Sequence, residues 1–314
     1  MKVSSNPLIV GAGLSGLIAA HIFPGAQVIE RNAQPGSGHK ALLRFRSSAV
    51  AQATGIEFKK VTVRKAIHVD DQFVSANPRW ANLYAQKCVG DIAARSIWNL
   101  EPVERWIAPE DFYDRLVENV GTRLIWGVAT DFGDDPAGQA LISTAPLEVA
   151  ARALGIVTEE SFARARITVV RVKLQGVNVH QTIYFPGHET PIYRASITGN
   201  VLIIEMVVGD PSTERCKEAI GHAAAAFGIY SRTIMESMEV VQQEYGKIVP
   251  IDEEVRQQLI VRLTLDHGIF SLGRFATWRN ILLDDVVNDA RVIKRLISAG
   301  AYGNVLHNAN KTWW

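Results

Sequence analysis

The sequence predicts an α/β fold, in which a dinucleotide-binding parallel sheet is interrupted by an inserted antiparallel sheet. The opening stretch "PLIVGAGLSGLIAAHIF", followed by "AQVIE", sets a strand, a glycine turn, a helix and a second strand in order. From Ala165 to about Val208 the segments "ARITVVRVKLQ", "HQTIYFPG", "PIYRASITGN" and "VLIIEMVV" describe consecutive antiparallel strands. Near the end, "IFSLGRFATWRNILLDDVV" returns to a strand, a glycine turn and a long helix from Asp285 to Ala299.

Each glycine of the first turn has its own task. Pro7 to Val10 form a buried strand, and Gly11 permits the tight turn that ends it. Gly13 leaves room for a pyrophosphate, and Gly16 lets the helix pack onto the strand. Leu14 and Ser15 open that helix, whose unpaired N–H groups and partial positive charge favour an anion. Val28-Ile29-Glu30 is the second strand. Glu30 at its end, with Arg31 beside it, suits the hydroxyls of a ribose.

The remaining elements follow from local signals. "NAQPGSGHK" is a loop beside the nucleotide, and "FKKVTVRKAIHVDDQFV" alternates around Asp70-Asp71 as a hairpin does. "APEDFYDRLVENVG" places Pro109 at a helix start and Gly121 past its end. "GQALISTAPLEVAARALG" is a buried strand, a turn and a short helix, and "STERCKEAIGHAAAAFGI" is an amphipathic helix. This order assigns 1–58, 109–163 and 246–314 to a cofactor domain, and 59–108 and 164–245 to a substrate domain.

Composition narrows the function. A net charge of +1 argues against a surface that binds polyanions everywhere, while leaving local patches open. The two cysteines, Cys88 and Cys216, form no C-x-x-C pair, which removes disulfide-redox and thiolate-metal chemistry and suits a reducing, cytoplasmic compartment. No apolar run reaches transmembrane length, so a soluble protein without membrane contact is expected. No His/Cys/Asp cluster has metal-ligand spacing. A continuous NAD-type domain would show further βα repeats directly after Glu30. Their absence favours a FAD-binding domain with an inserted substrate domain, and the lack of a second G-x-G-x-x-G argues against a built-in NADPH domain.

In the closing stretch, Gly273 ends a strand and Asp284 stands where an N-cap opens the last helix, facing the flavin or its pyrophosphate. Together with the first motif, this stretch resembles the C-terminal flavin motif of UDP-galactopyranose mutases and amine-oxidase-type flavoproteins. Gly273, Arg274, Trp278 and Asp284 match its pattern, and Thr144 and Pro146 of "LISTAPLE" match the strand-turn on the adenine side. The resemblance implies FAD, held in what that superfamily builds as a GR2-type Rossmann-like domain. His39 and Lys40 then lie near the flavin ring, where Lys40 balances the charge of the reduced form.

"HKALLRFRS", "ANLYAQKCVG", "RSIWNLEPVERWIAP" and "PIYRASITGN" resemble the small phage flavoproteins of thymidine hypermodification. That resemblance implies a FAD-dependent lyase converting N-glycyl-thymidine in double-stranded DNA to aminomethyl-deoxyuridine, with glyoxylate released in the cytoplasm of an infected host. The alternative is a mutase-like flavoenzyme acting on a nucleotide sugar as a small-molecule substrate. Carboxylate fixation calls for an arginine fork, available from Arg44, Arg46, Arg194, Arg274 or Arg279, with Arg194 beside Tyr193 preferred. His180 and Tyr184 share one strand face and complete the candidate pocket. Lys59, Lys60, Arg64 and Lys65 are the expected phosphate contacts, and Trp80 or Trp98 the side chain that stacks on a flipped base.

Overall fold

The computed structural model describes residues 6–35, 42–92, 97–130, 132, 139–209 and 211–299. The chain opens with β1 (Leu8–Val10), α1 (Leu14–Ile22) and β2 (Gln27–Glu30). It continues through β3 (Arg44–Phe45), α2 (Ala49–Thr54), β4 (Lys59–Val69), β5 (Gln72–Val74), α3 (Pro78–Val89) and β6 (Val103–Ile107). Next come α4 (Phe112–Val120), β7 (Leu124–Trp126), β8 (Leu141–Ser143) and α5 (Leu147–Ala153). The long strands are β9 (Arg164–Leu174), β10 (Val179–Tyr184), β11 (Ile192–Gly199), β12 (Val201–Met206) and, after α6 (Thr213–Phe227), β13 (Ile234–Ile248). The chain closes with α7 (Glu253–His267), β14 (Ile269–Ser271) and α8 (Leu283–Ser298).

Among the described residues, five strands form a parallel sheet in the order β14-β8-β1-β2-β7. Helices cover both faces, which is why its strands read as unbroken apolar runs. On one face Leu17, Ile18, Leu116, Val286, Val287 and Ala290 pack against Ile9, Val28, Ile142 and Phe270. On the other, Leu147, Leu259 and Leu263 pack against Leu141 and Ile269. The strand order reverses direction at β1, so the crevice for a ligand opens at the carboxyl ends of β1 and β8.

The second sheet runs β13-β9-β12-β11-β10-β4-β6-β3, with β5 paired to β4. The predicted Asp70-Asp71 turn is present, both residues in the left-handed region at φ 49° and 58°, as a two-residue hairpin requires. The sheet departs from the antiparallel expectation, because β4 and β10 pair in parallel and make it mixed. That pair joins the hairpin near the N-terminus to the later strands, a long-range choice with no local signature. β3 and the end of β13 also belong to this sheet, although their residues fall within the segments assigned to the cofactor domain. α6 covers one face through Cys216, Ala219 and Ala223, and α3 approaches the other through Ala81, Tyr84 and Cys88. Among the described residues, no helix is long and apolar enough to cross a membrane.

Candidate active site

The glycine turn shows the geometry its residues predict. Gly11 has φ +100°, donates its N–H to the Ile29 carbonyl at 2.8 Å, and would drive a Cβ to 2.3 Å from the Thr144 hydroxyl. A Cβ on Gly16 would come to 1.9 Å from the Gly11 carbonyl oxygen, so this glycine is fixed by helix-on-strand contact. Around Gly13 the space is open, with no atom within 4 Å of where a Cβ would stand. Gly13 is the N-cap of α1 and supplies no side chain to it, which leaves the first-turn amides beside Leu14 and Ser15 to a ligand.

Glu30 holds the turn from the next strand. Its carboxylate accepts the Ala12 N–H at 2.9 Å and the Asn32 N–H at 3.0 Å, and Arg31 is exposed beside it. Thr144 donates its hydroxyl to the Val10 carbonyl at 2.8 Å, which pins the β8 turn against the β1 turn. Tyr113 of α4 donates to the Ala12 carbonyl at 3.2 Å; burial and then Glu30 raise its pKa. No sequence motif pointed to that tyrosine.

The closing motif packs directly on this turn. Gly273, at φ +98°, would bring a Cβ to 2.5 Å from the Ser15 hydroxyl. The loop after it is tied from three sides. Thr277 donates its hydroxyl to the Gly273 carbonyl at 2.7 Å, Arg256 of α7 donates to the Thr277 carbonyl at 3.0 Å, and Arg274 donates to the Asn280 side chain at 3.0 Å. Trp278 differs from expectation. Its indole lies in the core, donating to the Val249 carbonyl at 2.9 Å and meeting Phe162 edge-on, so it braces the loop from behind. Its φ of +45° is a left-handed conformation that a tryptophan adopts only when its surroundings hold it there.

Asp284 is also corrected. The N-cap of α8 is Leu282, and Asp284 lies inside the first turn, buried. Its carboxylate accepts the N–H groups of Arg46 and Ser47 at 3.1 and 2.9 Å and the Ser47 hydroxyl at 2.7 Å. It therefore ties the segment before α2 to the start of α8. Arg46 pairs with Asp285, and Arg279 with Asp289.

The face of the second sheet turned away from α6 carries the other half of the site. Tyr184, Arg194 and Glu205 stand opposite one another on β10, β11 and β12 and so share a face. Register shifts between Ile192 and Arg194, which makes Tyr193 an extra residue in the strand. The bulge breaks the alternation that would send Tyr193 to the opposite face. Instead it joins Tyr84 of α3 and Tyr184, with Tyr84 centroids 6.2 and 5.5 Å from the two rings.

Arg194 is committed in a way the sequence did not reveal. Its Nε and Nη2 both donate to the Glu205 carboxylate, the latter at 2.7 Å, forming a two-pronged pair. Glu205 is 1% exposed. Burial works against the Arg194 charge, but Glu205 outweighs it and holds the guanidinium protonated. As a free carboxylate fork Arg194 is therefore corrected: Glu205 already fills that fork, and only the remaining edge is left for a ligand. Burial pushes the phenols of Tyr84, Tyr184 and Tyr193 up.

Lys247, near the end of β13, was not singled out from the sequence. Its Nζ lies 4.5 Å above the Tyr193 ring, and burial, followed by the Arg194 charge, lowers its pKa to about 8. Arg274 is among the charges acting on it, so the lysine stands where the sheet meets the closing motif. Two residues on, the Val249 carbonyl accepts the Trp278 indole N–H.

The other expected residues are distributed differently. Arg44 crosses the sheet, donating to the Thr182 and Thr198 hydroxyls at 2.6 and 2.8 Å and to the Ile197 carbonyl at 2.7 Å; burial, then Arg194, lowers its pKa to about 10. His180 lies toward that end of β10, its Nδ1 accepting the Gly199 N–H at 3.3 Å. Burial, then Arg44 and Lys59, lowers its pKa. His39 and Lys40 lie outside the described residues.

The cations of β4 do not form one surface. Lys60 pairs with Glu104 at 2.7 Å, and Lys65 donates to the Asn99 carbonyl, while Lys59 and Arg64 are exposed on opposite faces of the strand. Trp98 is exposed, and Trp80 is half-buried against the α3 core with Arg79 stacked on it.

No family model and no curated protein matches the sequence. Solved structures do match it. A reduced UDP-galactopyranose mutase is similar over 96% of both chains at 15% identity, with a TM-score of 0.63. A CLA-producing fatty acid isomerase from P. acnes is similar over 94% of this chain and 99% of its own, at 12% identity and a TM-score of 0.59. Aklavinone-11 hydroxylase, solved with FAD and aklavinone, is similar over 96% of this chain and 63% of its own, at 14% identity and a TM-score of 0.53. The chain has the fold of these proteins: a nucleotide-type parallel sheet joined to a second, curled mixed sheet.

Proposed function

We propose that the chain is an FAD-dependent oxidoreductase acting on an anionic amine. The observation that carries this reading is the junction of the two sheets. There Gly273 packs on the glycine turn, and the adjoining Arg274 acts on Lys247 beside the tyrosine-lined floor. FAD fits the first half: Glu30 suits its ribose, the open Gly13 and the first turn of α1 suit its pyrophosphate, and the 273–278 loop suits its ring. When bound, FAD supplies a two-electron acceptor.

The chain's own residues then bind and orient the substrate. Arg194, held rigid by Glu205, presents its remaining edge to a carboxylate, and Arg274 adds positive charge. Tyr84, Tyr184 and Tyr193 pack together beside Arg194 and hold the floor in shape. Oxidation of an N-glycyl amine gives an imine, and water cleaves that imine to the free amine and glyoxylate. Within this class, the thymidine-hypermodification stretches support a glycyl-modified thymine in DNA, converted to aminomethyl-deoxyuridine. The likeness to UDP-galactopyranose mutase over 96% of both chains supports a nucleotide sugar as the second reading.

Anaerobic mixing tests both. Bleaching of the oxidised flavin by an oligonucleotide carrying N-glycyl-thymidine, with glyoxylate formed, is the expected result. No bleaching, together with turnover of UDP-galactopyranose by dithionite-reduced protein, would replace it with the mutase reading. Gly13→Val is expected to fold normally and to purify without flavin, read by absorbance at 450 nm beside circular dichroism.

A further inference from the structure

Chemistry on an amine needs a group that moves a proton near neutral pH, and the described residues of the floor leave few choices. Glu205 is committed to Arg194. The phenols of Tyr84, Tyr184 and Tyr193 are pushed up, away from neutrality. Arg44 is bound across the sheet between Thr182 and Thr198, and His180 lies beyond it with its Nδ1 on the Gly199 amide. His68 and His222 pack against Phe185, in the core that faces α6.

Lys247 stands on this floor where the closing loop arrives, and its surroundings suit the task. Its Nζ stands 4.5 Å above the Tyr193 ring, which places the group on the floor itself and favours the ammonium it becomes on taking a proton. The charged and titratable groups acting on it are Arg194 of β11, Glu205 of β12, Cys88 of α3 and Arg274 of the closing loop. Arg194 and Arg274 favour loss of the lysine proton, and Cys88 and then Glu205 oppose them, Glu205 while neutralised by its own partner. Burial acts in the same direction as the arginines and is the largest influence.

We propose that Lys247 is the catalytic proton acceptor of the site, taking the proton from the ammonium of the incoming amine. The inference rests on the amine-oxidising reading above. In the step, the N–H bond of the substrate ammonium breaks and a new N–H bond forms at Nζ. Neutral lysine becomes ammonium, the substrate becomes a neutral amine with its carboxylate unchanged, and no electrons leave either partner. The nitrogen lone pair freed in this way is what two-electron oxidation at the adjacent carbon requires.

The test uses the flavin-loaded protein and an oligonucleotide carrying N-glycyl-thymidine, with anaerobic flavin bleaching followed from pH 6 to 10. In the wild type the rate is expected to rise with pH to a plateau, with a midpoint near 8. Lys247→Met should retain flavin and bleach ~100-fold or more slowly at pH 7. In Lys247→Ala, added methylamine should restore part of the rate, which a structural lysine would not allow. A Lys247→Met profile matching the wild type overturns the proposal. Competitive acetylation of the substrate-free wild type, quantified by mass spectrometry, separates the two inferences. A Lys247 midpoint at the ordinary lysine value overturns the assignment whatever the substrate is. A midpoint near 8 without bleaching by the glycyl probe overturns the amine reading and leaves the lysine's state established.

Discussion

Around Gly13 the molecule is built from backbone, and around Tyr193 it is built from side chains. The glycine turn is a short run of chain whose carbonyls and amides are placed by three glycines, Thr144 and Glu30. The tyrosine floor takes one residue each from α3, β10, β12 and β13 and two from β11, and depends on a bulge to bring those two neighbours to one face. The first kind of site fails when an atom is added. The second fails when a partner is removed.

The largest expected effect tests the first rule. Gly16→Ala puts a methyl against the Gly11 carbonyl, which cannot retreat because the Gly11 amide is bonded to Ile29. A loss on the order of 3 kcal/mol is expected from overpacking against fixed backbone, measured by urea unfolding. Wild-type stability in this variant would break the comparison. Gly13→Val sharpens it, because the same chemistry three residues earlier should cost flavin and not fold.

The next effect tests the second rule. Arg194→Ala leaves the Glu205 carboxylate buried without its partner, but the Arg194 side chain is itself 24% exposed, so water reaches the gap and the cost is about 2 kcal/mol. Replacing both, as Arg194→Met with Glu205→Leu, should recover most of that stability while abolishing substrate binding. If the single variant loses less than about 1 kcal/mol, the pair does not shape the floor.

The smallest effect lies outside both sites. His68 is buried against Phe73 and Phe185, and burial, then His222, lowers its pKa below the ordinary 6.5. The folded protein thus binds this proton less readily than the unfolded chain does. The contribution of neutral His68 is complete above pH 6.5 and is lost as pH falls below it. Thermal midpoints should fall more steeply below pH 6.5 in the wild type than in His68→Phe, and parallel curves would assign the acid sensitivity elsewhere.

These two constructions also decide what was legible in the sequence. The strand–turn–helix with Gly11, Gly13 and Gly16 is a local pattern, and so are the Asp70-Asp71 hairpin and the close of α4 at Gly121. Asp284 and Trp278 were found as motif residues, but their directions depend on Arg46, Ser47, Val249 and Phe162, which come from other parts of the chain. Glu205 did leave a trace, as the one acid in the apolar run "VLIIEMVV". Lys247 left none, since its neighbours are assembled only by strand pairing and by the return of the chain to the closing loop.

The packing of Gly273 on Ser15 sets the order in which the protein can acquire its cofactor. One side of that cradle leaves the ribosome about 260 residues before the other. At ordinary elongation rates the interval is on the order of ten to fifty seconds. For the first half of that time β1 lacks β8, and for the second half β8 lacks β14, so the growing sheet shows an apolar edge that is a hazard for association with other nascent chains. Cofactor capture is therefore a late event in the life of each chain, and a protein truncated before β14 should be colourless even with every glycine of the first turn in place.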